Sequence, residues 1–207
     1  MTTPDAAPRP LRADARRNRD KIVAAAREAF SADGLDAQIE DVARRAGVGV
    51  GTVYRHFPTK DALVRALVED KMQAMTAMAP EYLAEAERDG WEAFASFVRA
   101  CGETHLHDRG LSQVISTQPA ESFIDVAMDS GLMKVTGRLL VAAQEAGVAR
   151  QDLVATDVGL VMCGMSAVLE SFGERGGRRY LELMLNGMRN REAPRLPAAP
   201  RVARPRD

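Results

Sequence analysis

Two short apolar helical patterns, separated by a glycine-containing turn between residues 39 and 60, constrain the fold of this chain most strongly. The first pattern places apolar side chains at i, i+3, i+4 and i+7, on one face of a helix: Ile39, Val42, Ala43 and Ala46. Gly47 follows, and a residue without Cβ ends a helix in the left-handed conformation at little cost. A second pattern, Val50, Val53 and Phe57, ends before Pro58, which is incompatible with a preceding helical turn. The spacing predicts a helix-turn-helix.

The second of these helices carries polar side chains on the face opposite its apolar pattern. Thr52, Arg55 and His56 lie on this polar face, with Tyr54 beside them. Such side chains suit phosphate groups and base edges better than a core.

The residues around the turn resemble the DNA-binding signature of the TetR family of bacterial transcriptional regulators. The resemblance is carried by Ala46-Gly47-Val48, by the run GTVYRHFPTK from Gly51 to Lys60, by NRDKI before it and by Asp61-Ala62-Leu63 after it. It implies an all-α fold, in which an N-terminal three-helix head with the helix-turn-helix precedes a larger C-terminal helical body for ligand binding and dimerisation. Gly49 departs from the pattern, because the family often has a capping serine at this position, and we do not expect Gly49 to contact DNA.

The resemblance also implies which residues bind a double-stranded DNA operator. The helix near residues 50–57 is expected in the major groove, with Thr52 near base edges and Tyr54, His56 and Lys60 on phosphates. The complete set of expected DNA-binding residues is Arg17, Val50, Thr52, Tyr54, Arg55, His56 and Lys60. Arg17 belongs to an arginine-bearing N-terminal stretch that either reaches the DNA or is simply solvated.

The glycine-rich run from Gly47 to Gly51 has a rival interpretation as a nucleotide-binding loop. That chemistry needs a strand before the loop and a helix N-terminus after it. A charged helical pattern from Glu40 to Arg45 precedes the glycines instead, so the turn interpretation is favoured.

Charge is unevenly distributed along the 207 residues. Residues 1–60 carry 11 Lys and Arg against 8 Asp and Glu, whereas residues 61–188 carry 11 against 19. A basic head on an acidic body is typical of a chain that presents one end to a polyanion. Because the sequence lacks an apolar run of membrane-spanning length and an apolar signal segment, it predicts a cytoplasmic protein without a membrane partner.

Proline content and helical periodicity predict four regions. These are a disordered arm at residues 1–13, a DNA-binding domain at 14–60, a helical effector-binding and dimerisation domain at 61–191, and a disordered tail at 192–207. A first helix is expected near residues 15–33, and Thr59 is expected to cap a helix that links the head to the body. Residues 120–146 predict two helices or one bent helix, Asp152 is expected to begin the next, and glycines 173, 176 and 177 are expected to form the turn before the last.

Methionines and aromatic residues in the body suggest an adaptable apolar binding site, although core packing is the favoured explanation for any single methionine. The expected ligand-binding residues are Met72, Met75, Phe94, Val98, Cys101, His105, Met162 and Met165. The last two helices have apolar faces too broad for one core and predict a homodimer. The expected interface residues are Val161, Val168, Phe172, Leu181, Met184, Leu185 and Met188.

Neither a metal site nor a cofactor is expected. His105 and His107 are two residues apart, whereas chelation from one helix prefers three or four. Cys101 and Cys163 lie in apolar helical patterns and are expected to be small buried side chains. No cluster of catalytic residues shares a motif, which argues against an enzyme.

Two functions remain open at this point. The chain is either a ligand-responsive transcriptional repressor that leaves its operator when a small hydrophobic effector binds, or a constitutive DNA-binding regulator whose body only dimerises. A cavity in the body would distinguish them. An enzyme or carrier that happens to contain a helix-turn-helix is a distant third.

Overall fold

The computed structural model describes residues 9–107, 120–191 and 194–199. These ranges are all-α and contain no strand, which confirms the predicted fold class. The helices are α1 (Arg9–Asp33), α2 (Ile39–Ala46), α3 (Val50–His56), α4 (Lys60–Ala77), α5 (Ala79–Glu85), α6 (Gly90–His107), α7 (Ala120–Asp129), α8 (Leu132–Glu145) and α9 (Ala155–Met188). The chain forms two compact units that divide within α4, between Leu67 and Val68.

The first unit is the helix-turn-helix head. Its core contains side chains with no exposed surface, including Ile22 and Phe30 of α1, Val42 of α2 and Val53 of α3. Helix α1 begins at Arg9, within the region 1–13 that the sequence predicts as a disordered arm, and residues 1–8 of that arm lie outside the described residues. A helix can begin there because the first helical turn tolerates proline, as at position 10.

The second unit is built around α6, whose side chains supply much of its core. Trp91, Phe94 and Phe97 are buried along this helix. The start of α6 lies close to α8, since a Cβ added at Gly90 would come 2.5 Å from the carbonyl oxygen of Ala142. Helices α5, α8 and α9 pack against α6 and complete the core.

Residues 120–146 form two helices rather than one bent helix. The break is at Gly131, which has a φ of +80°, whereas Gly137 lies inside α8. Only a residue that adopts this left-handed conformation easily allows α7 to end and α8 to begin at once.

The limits of α9 differ from the prediction at both its start and its centre. It begins at Ala155 rather than Asp152. The reason is that the carboxylate of Asp157 accepts a hydrogen bond from the backbone N–H of Val154 at the helix start. The expected glycine turn is confined to Gly173, with φ of 66° and ψ of −171°, and the following glycines at 176 and 177 are helical.

Asp152 instead holds part of the C-terminal segment. Its carboxylate accepts hydrogen bonds from the Arg150 guanidinium at 2.9 Å and from the backbone N–H of Leu196 at 2.7 Å. Arg150 also donates to the carbonyl oxygen of Pro194 at 2.7 Å. These hydrogen bonds involve Pro194 and Leu196 of the segment predicted as a disordered tail, of which residues 192–193 and 200–207 lie outside the described residues.

Candidate DNA-binding surface and ligand cavity

The turn between α2 and α3 has the predicted geometry. Gly47 follows α2 with a φ of 68°, and the Val48 N–H donates to the carbonyl of Ala43 at 3.0 Å. Gly49 precedes α3 in an extended conformation, and its carbonyl accepts from the Thr52 N–H at 2.8 Å. Backbone groups thus complete the turn without the side-chain cap that a serine would supply.

Helix α3 presents the expected DNA-binding side chains together on its accessible face. Tyr54 is 46% exposed, Arg55 is exposed, and Val50, Thr52 and His56 are half-buried. Val53 and Phe57, on the opposite face, are buried in the head. The exposed face therefore offers one aromatic ring, two hydroxyl groups and two nitrogen-bearing side chains over seven residues.

Lys60 lies at the first position of α4 and makes contacts within the head. Its Nζ donates to the carbonyl oxygen of Ala37 at 3.0 Å and lies 5.4 Å from the centre of the Phe30 ring. The side chain of Thr59 caps the same helix end by accepting from the N–H of Ala62 at 3.0 Å, as predicted. Through its hydrogen bond to Ala37, Lys60 links the start of α4 to the segment before α2.

Arg17 lies on the exposed surface of α1, where its guanidinium pairs with Asp14. The neighbouring Arg19 is placed differently, with its guanidinium 5.6 Å from the centre of the Phe57 ring. Of these two arginines, Arg19 packs against the helix-turn-helix, while Arg17 points to solvent.

The second unit contains a cavity of about 390 Å³. This volume lies in the range typical of sites for small organic ligands. Its lining comes from α4, α6, α7, α8 and α9, and six of the eight predicted ligand-binding residues belong to it: Met72, Met75, Val98, Cys101, His105 and Met162. A cavity is the feature expected to distinguish a ligand-binding body from a body that only dimerises, and the second unit contains one.

Phe94 and Met165 lie near the cavity but do not line it. Both side chains are fully buried in the core, where the Phe94 ring packs 6.0 Å from the ring of Trp91. Met165 packs beside two glycines, with its Cε 3.5 Å and 3.6 Å from the positions that a Cβ would take at Gly102 and Gly177. The sequence pattern of Phe94 and Met165 identifies apolar helix faces, but only part of each face lines the cavity.

Several lining residues were not predicted from the sequence. They include Lys71, Phe97, Met133, Thr136, Cys163, Ser166 and Glu170. The neighbours of Met72 and Val98 in the sequence, Lys71 and Phe97, gave a usable signal, because a side chain next to a lining position also reaches a wide cavity. Thr136 and Ser166 carried none, since single hydroxyl residues occur on many helices.

Two polar side chains of the cavity wall, His105 and Ser166, are hydrogen-bonded to each other. His105 is 8% exposed, and its Nε2 shares a 2.6 Å hydrogen bond with Ser166 Oγ. Burial, with a smaller contribution from the nearby charge of Lys71, lowers the pKa of His105 from 6.5 to about 3. The imidazole is therefore neutral at physiological pH.

The two cysteines differ in exposure but neither is activated. Cys101 is buried, and burial raises the pKa of its thiol to about 12. Cys163 is exposed on α9, which corrects the expectation of a buried side chain, and partial burial also raises its pKa. Both remain thiols at neutral pH, and a thiol is a weak nucleophile and metal ligand.

His105 and His107 face different partners. While His105 bonds Ser166, the exposed His107 donates from Nδ1 to the carbonyl oxygen of Glu103 at 2.7 Å. Over the part of the chain that the structure describes, no three His, Cys, Asp or Glu side chains gather at one point as a metal site requires.

Comparison with known proteins assigns both units to one family. The sequence pattern of bacterial regulatory proteins of the TetR family matches residues 22–67, and that of the SbtR-like transcriptional regulator C-terminal domain matches residues 89–190. A TetR transcription regulatory protein from Mycobacterium vanbaalenii is 35% identical, with 87% of this chain and 99% of that one covered and a TM-score of 0.56. The chain belongs to the TetR family.

Two further comparisons also identify transcriptional regulators. The TetR transcriptional regulator SCO0520 from Streptomyces coelicolor is 31% identical over 83% of this chain and 98% of its own, with a TM-score of 0.56. Among curated proteins, the HTH-type transcriptional regulator SAR0097 of Staphylococcus aureus is 36% identical over 80 residues, which is 41% of its length. The chain therefore matches less than half of that curated relative, whereas these two solved TetR proteins match it almost from end to end.

Helix α9 carries both buried and exposed apolar side chains. Four of the predicted interface residues, Val161, Leu181, Leu185 and Met188, are instead buried in the core of their own unit. Val168 and Met184 are half-buried, and Phe172 is 75% exposed. Leu160 and Leu183, which were not predicted, are also exposed on α9.

The exposed large apolar side chains of α9 are therefore Leu160, Phe172 and Leu183, while Val168 is half-buried. By length and composition alone α9 could also cross a membrane, and 22% of its most apolar window is buried within the chain. A helix that pairs with a second copy of a soluble protein meets the same criterion.

Proposed function

We propose that this TetR-family protein is a cytoplasmic transcriptional repressor that binds an operator palindrome as a homodimer and is released by a small hydrophobic effector. The observation that carries this proposal is the cavity of about 390 Å³ in the second unit, lined in part by α4. TetR regulators are transcription factors, and the thiol groups of this chain remain protonated, so catalysis has no part in the proposal.

DNA recognition is assigned to the accessible face of α3. Thr52 lies in the first turn of this helix, where side chains of a recognition helix meet base edges, and we assign Tyr54 and His56 to phosphate contacts. Two such helices have to lie about 34–36 Å apart to enter successive major grooves, which requires a dimer. The exposed Phe172 and Leu183 of α9 supply an apolar surface for that dimer.

Helix α4 supplies the connection between the two activities. It begins at Lys60, whose Nζ bonds the Ala37 carbonyl in the head, and continues without a break to Met72 and Met75 on the cavity wall. A ligand that favours a shifted α4 would change the positions of both recognition helices. For each tenfold loss of operator affinity, it has to bind the released state better by about 1.4 kcal/mol.

The constitutive alternative is tested by filling the cavity. A Cβ added at Gly159 meets only Met133 Cε, at 3.7 Å, so the leucine of a Gly159→Leu variant would extend into the cavity that Gly159 lines. We expect this variant to footprint its own upstream operator as the parent protein does, but to remain bound when a compound from a thermal-shift screen releases the parent. Release of both proteins alike would count against the cavity as the effector site.

A further inference from the structure

The wall of the cavity carries a buried positive charge. Lys71, on α4, lines the cavity and is only 9% exposed. The other ionised lining residue in the described part of the chain, Glu170 of α9, is exposed to solvent. A charge at low dielectric acts on a ligand far more strongly than one that water screens. Lys71 is therefore the buried basic side chain that a charged ligand in the cavity would meet, although the body as a whole is acidic.

Neutral hydrogen-bonding groups accompany this charge. His105 and Ser166 share their 2.6 Å hydrogen bond at the cavity, and Thr136 Oγ donates to the Leu132 carbonyl at 2.9 Å while its lone pairs can still accept. Lys71 and His105 line the same cavity, and the charge of Lys71 contributes to the lowered pKa of His105. The remaining lining is mainly apolar, including Met72, Met75, Phe97, Val98, Met133 and Met162.

We propose that the cavity binds an amphipathic organic acid, with its carboxylate beside Lys71 and the His105–Ser166 pair and its apolar body against the methionines and Phe97. An ammonium group has three N–H donors, so it can bond a carboxylate and also keep a partner within the chain. An amine of the same shape would bring a like charge to the buried Lys71, and an alcohol would gain no ion pair. This inference rests on the proposed ligand-responsive function and specifies its ligand.

Matched probes separate charge from shape. Hexanoate, octanoate, decanoate and phenylpropanoate are each compared with the alcohol and the primary amine of the same skeleton, by thermal shift and by calorimetric titration of the full-length protein. Two variants are measured beside the parent: Lys71→Met, which removes the charge but keeps an unbranched side chain, and Lys71→Arg, which keeps the charge. Lys134→Met is the matched control, because Lys134 is exposed on α8 and is not part of the cavity lining.

At least one acid is expected to bind more tightly than its alcohol and its amine. In Lys71→Met, the affinity for that acid should fall about tenfold to a hundredfold, which is the usual contribution of a hydrogen bond to a charged group. The alcohol should bind this variant as well as it binds the parent. Lys71→Arg should retain most of the acid affinity, and Lys134→Met all of it.

Acids that bind no better than their amines, acids that do not bind at all, or an acid whose affinity survives in Lys71→Met would each overturn the proposal. These results are distinct from a failure of the proposed function. An acid that binds through Lys71 but leaves operator affinity unchanged contradicts only the release mechanism. A neutral or cationic compound that releases the operator contradicts only the ligand class.

Discussion

Burial of His105 predicts that the protein loses stability as the pH falls below 6.5, the ordinary pKa of histidine. In the folded chain the imidazole is 8% exposed and its pKa is lowered to about 3, so it stays neutral when a histidine in the unfolded chain has already bound a proton. The unfolded state then binds more protons than the folded state, and protonation favours unfolding. The loss begins near pH 6.5 and continues until the folded pKa is reached.

The magnitude follows from the difference between the two pKa values. At about pH 7.5 the histidine contributes almost nothing, while at about pH 5.5, one unit below its ordinary pKa, it lowers the free energy of unfolding by about 1.4 kcal/mol. The assay is urea unfolding at these two pH values and at one protein concentration, since dimerisation would make stability depend on concentration.

His105→Gln isolates this contribution. The variant lacks the titrating group, so its loss of stability between the two pH values should be smaller than that of the parent by about 1.4 kcal/mol. His107→Gln is the matched control, because His107 is exposed on the same helix. An unchanged pH dependence in His105→Gln would refute the argument that His105 is buried in its neutral form.

Other predictions test the turn, the dimer and the start of α4. Gly47→Ala should lower the free energy of unfolding by about 1 kcal/mol, because Gly47 has a φ of 68°. Gly51→Ala should raise it by about 0.5–1 kcal/mol, because Gly51 lies in a helix and no atom lies within 4 Å of the added Cβ. Chemical denaturation that shifts the free energy of unfolding in the same direction for both variants would contradict this. Phe172→Asp should raise the dimer dissociation constant, measured by sedimentation, at least about tenfold. It should not lower the stability of the monomer, since Phe172 is 75% exposed in the single chain. An unchanged dissociation constant would place the interface elsewhere. Lys60→Ala should lower the free energy of unfolding by about 1 kcal/mol through loss of the hydrogen bond to Ala37. If Lys60 also contacts a phosphate, the slope of log operator affinity against log salt concentration should fall by about one unit in this variant. A slope equal to that of the parent would leave Lys60 with a structural role alone.

Local patterns of the sequence predicted the head well. Gly47 and Pro58 are signals that act on the backbone within one turn, so the limits of α2 and α3 follow from them without knowledge of distant residues. The helix start at Ala155 was harder to predict, because Asp152 and Asp157 are both acceptable near a helix N-terminus. The choice depends on Arg150 and Leu196, and Leu196 is far from Asp152 in sequence.

The ligand cavity could be predicted only in part, since helical periodicity identifies an apolar face but not the portion of it that remains unfilled. Phe94 and Met165 have the same pattern as Val98 and Met162, yet the first two are packed in the core. The same ambiguity affected α9, where Leu181 and Leu185 fill the core and Phe172 is exposed. Which of these apolar side chains remain accessible depends on how neighbouring helices pack, through close approaches such as that of Gly90 to Ala142.

The most direct test of the central claim is the affinity of a cavity ligand measured with and without operator DNA. A ligand that shifts α4 and releases the operator has to bind the DNA-free protein more tightly than the complex, and linkage makes the two effects equal in size. We expect saturating operator to weaken the ligand by the same factor, about tenfold or more, by which saturating ligand weakens the operator. Equal ligand affinities in the two titrations would contradict the release mechanism and favour a constitutive regulator.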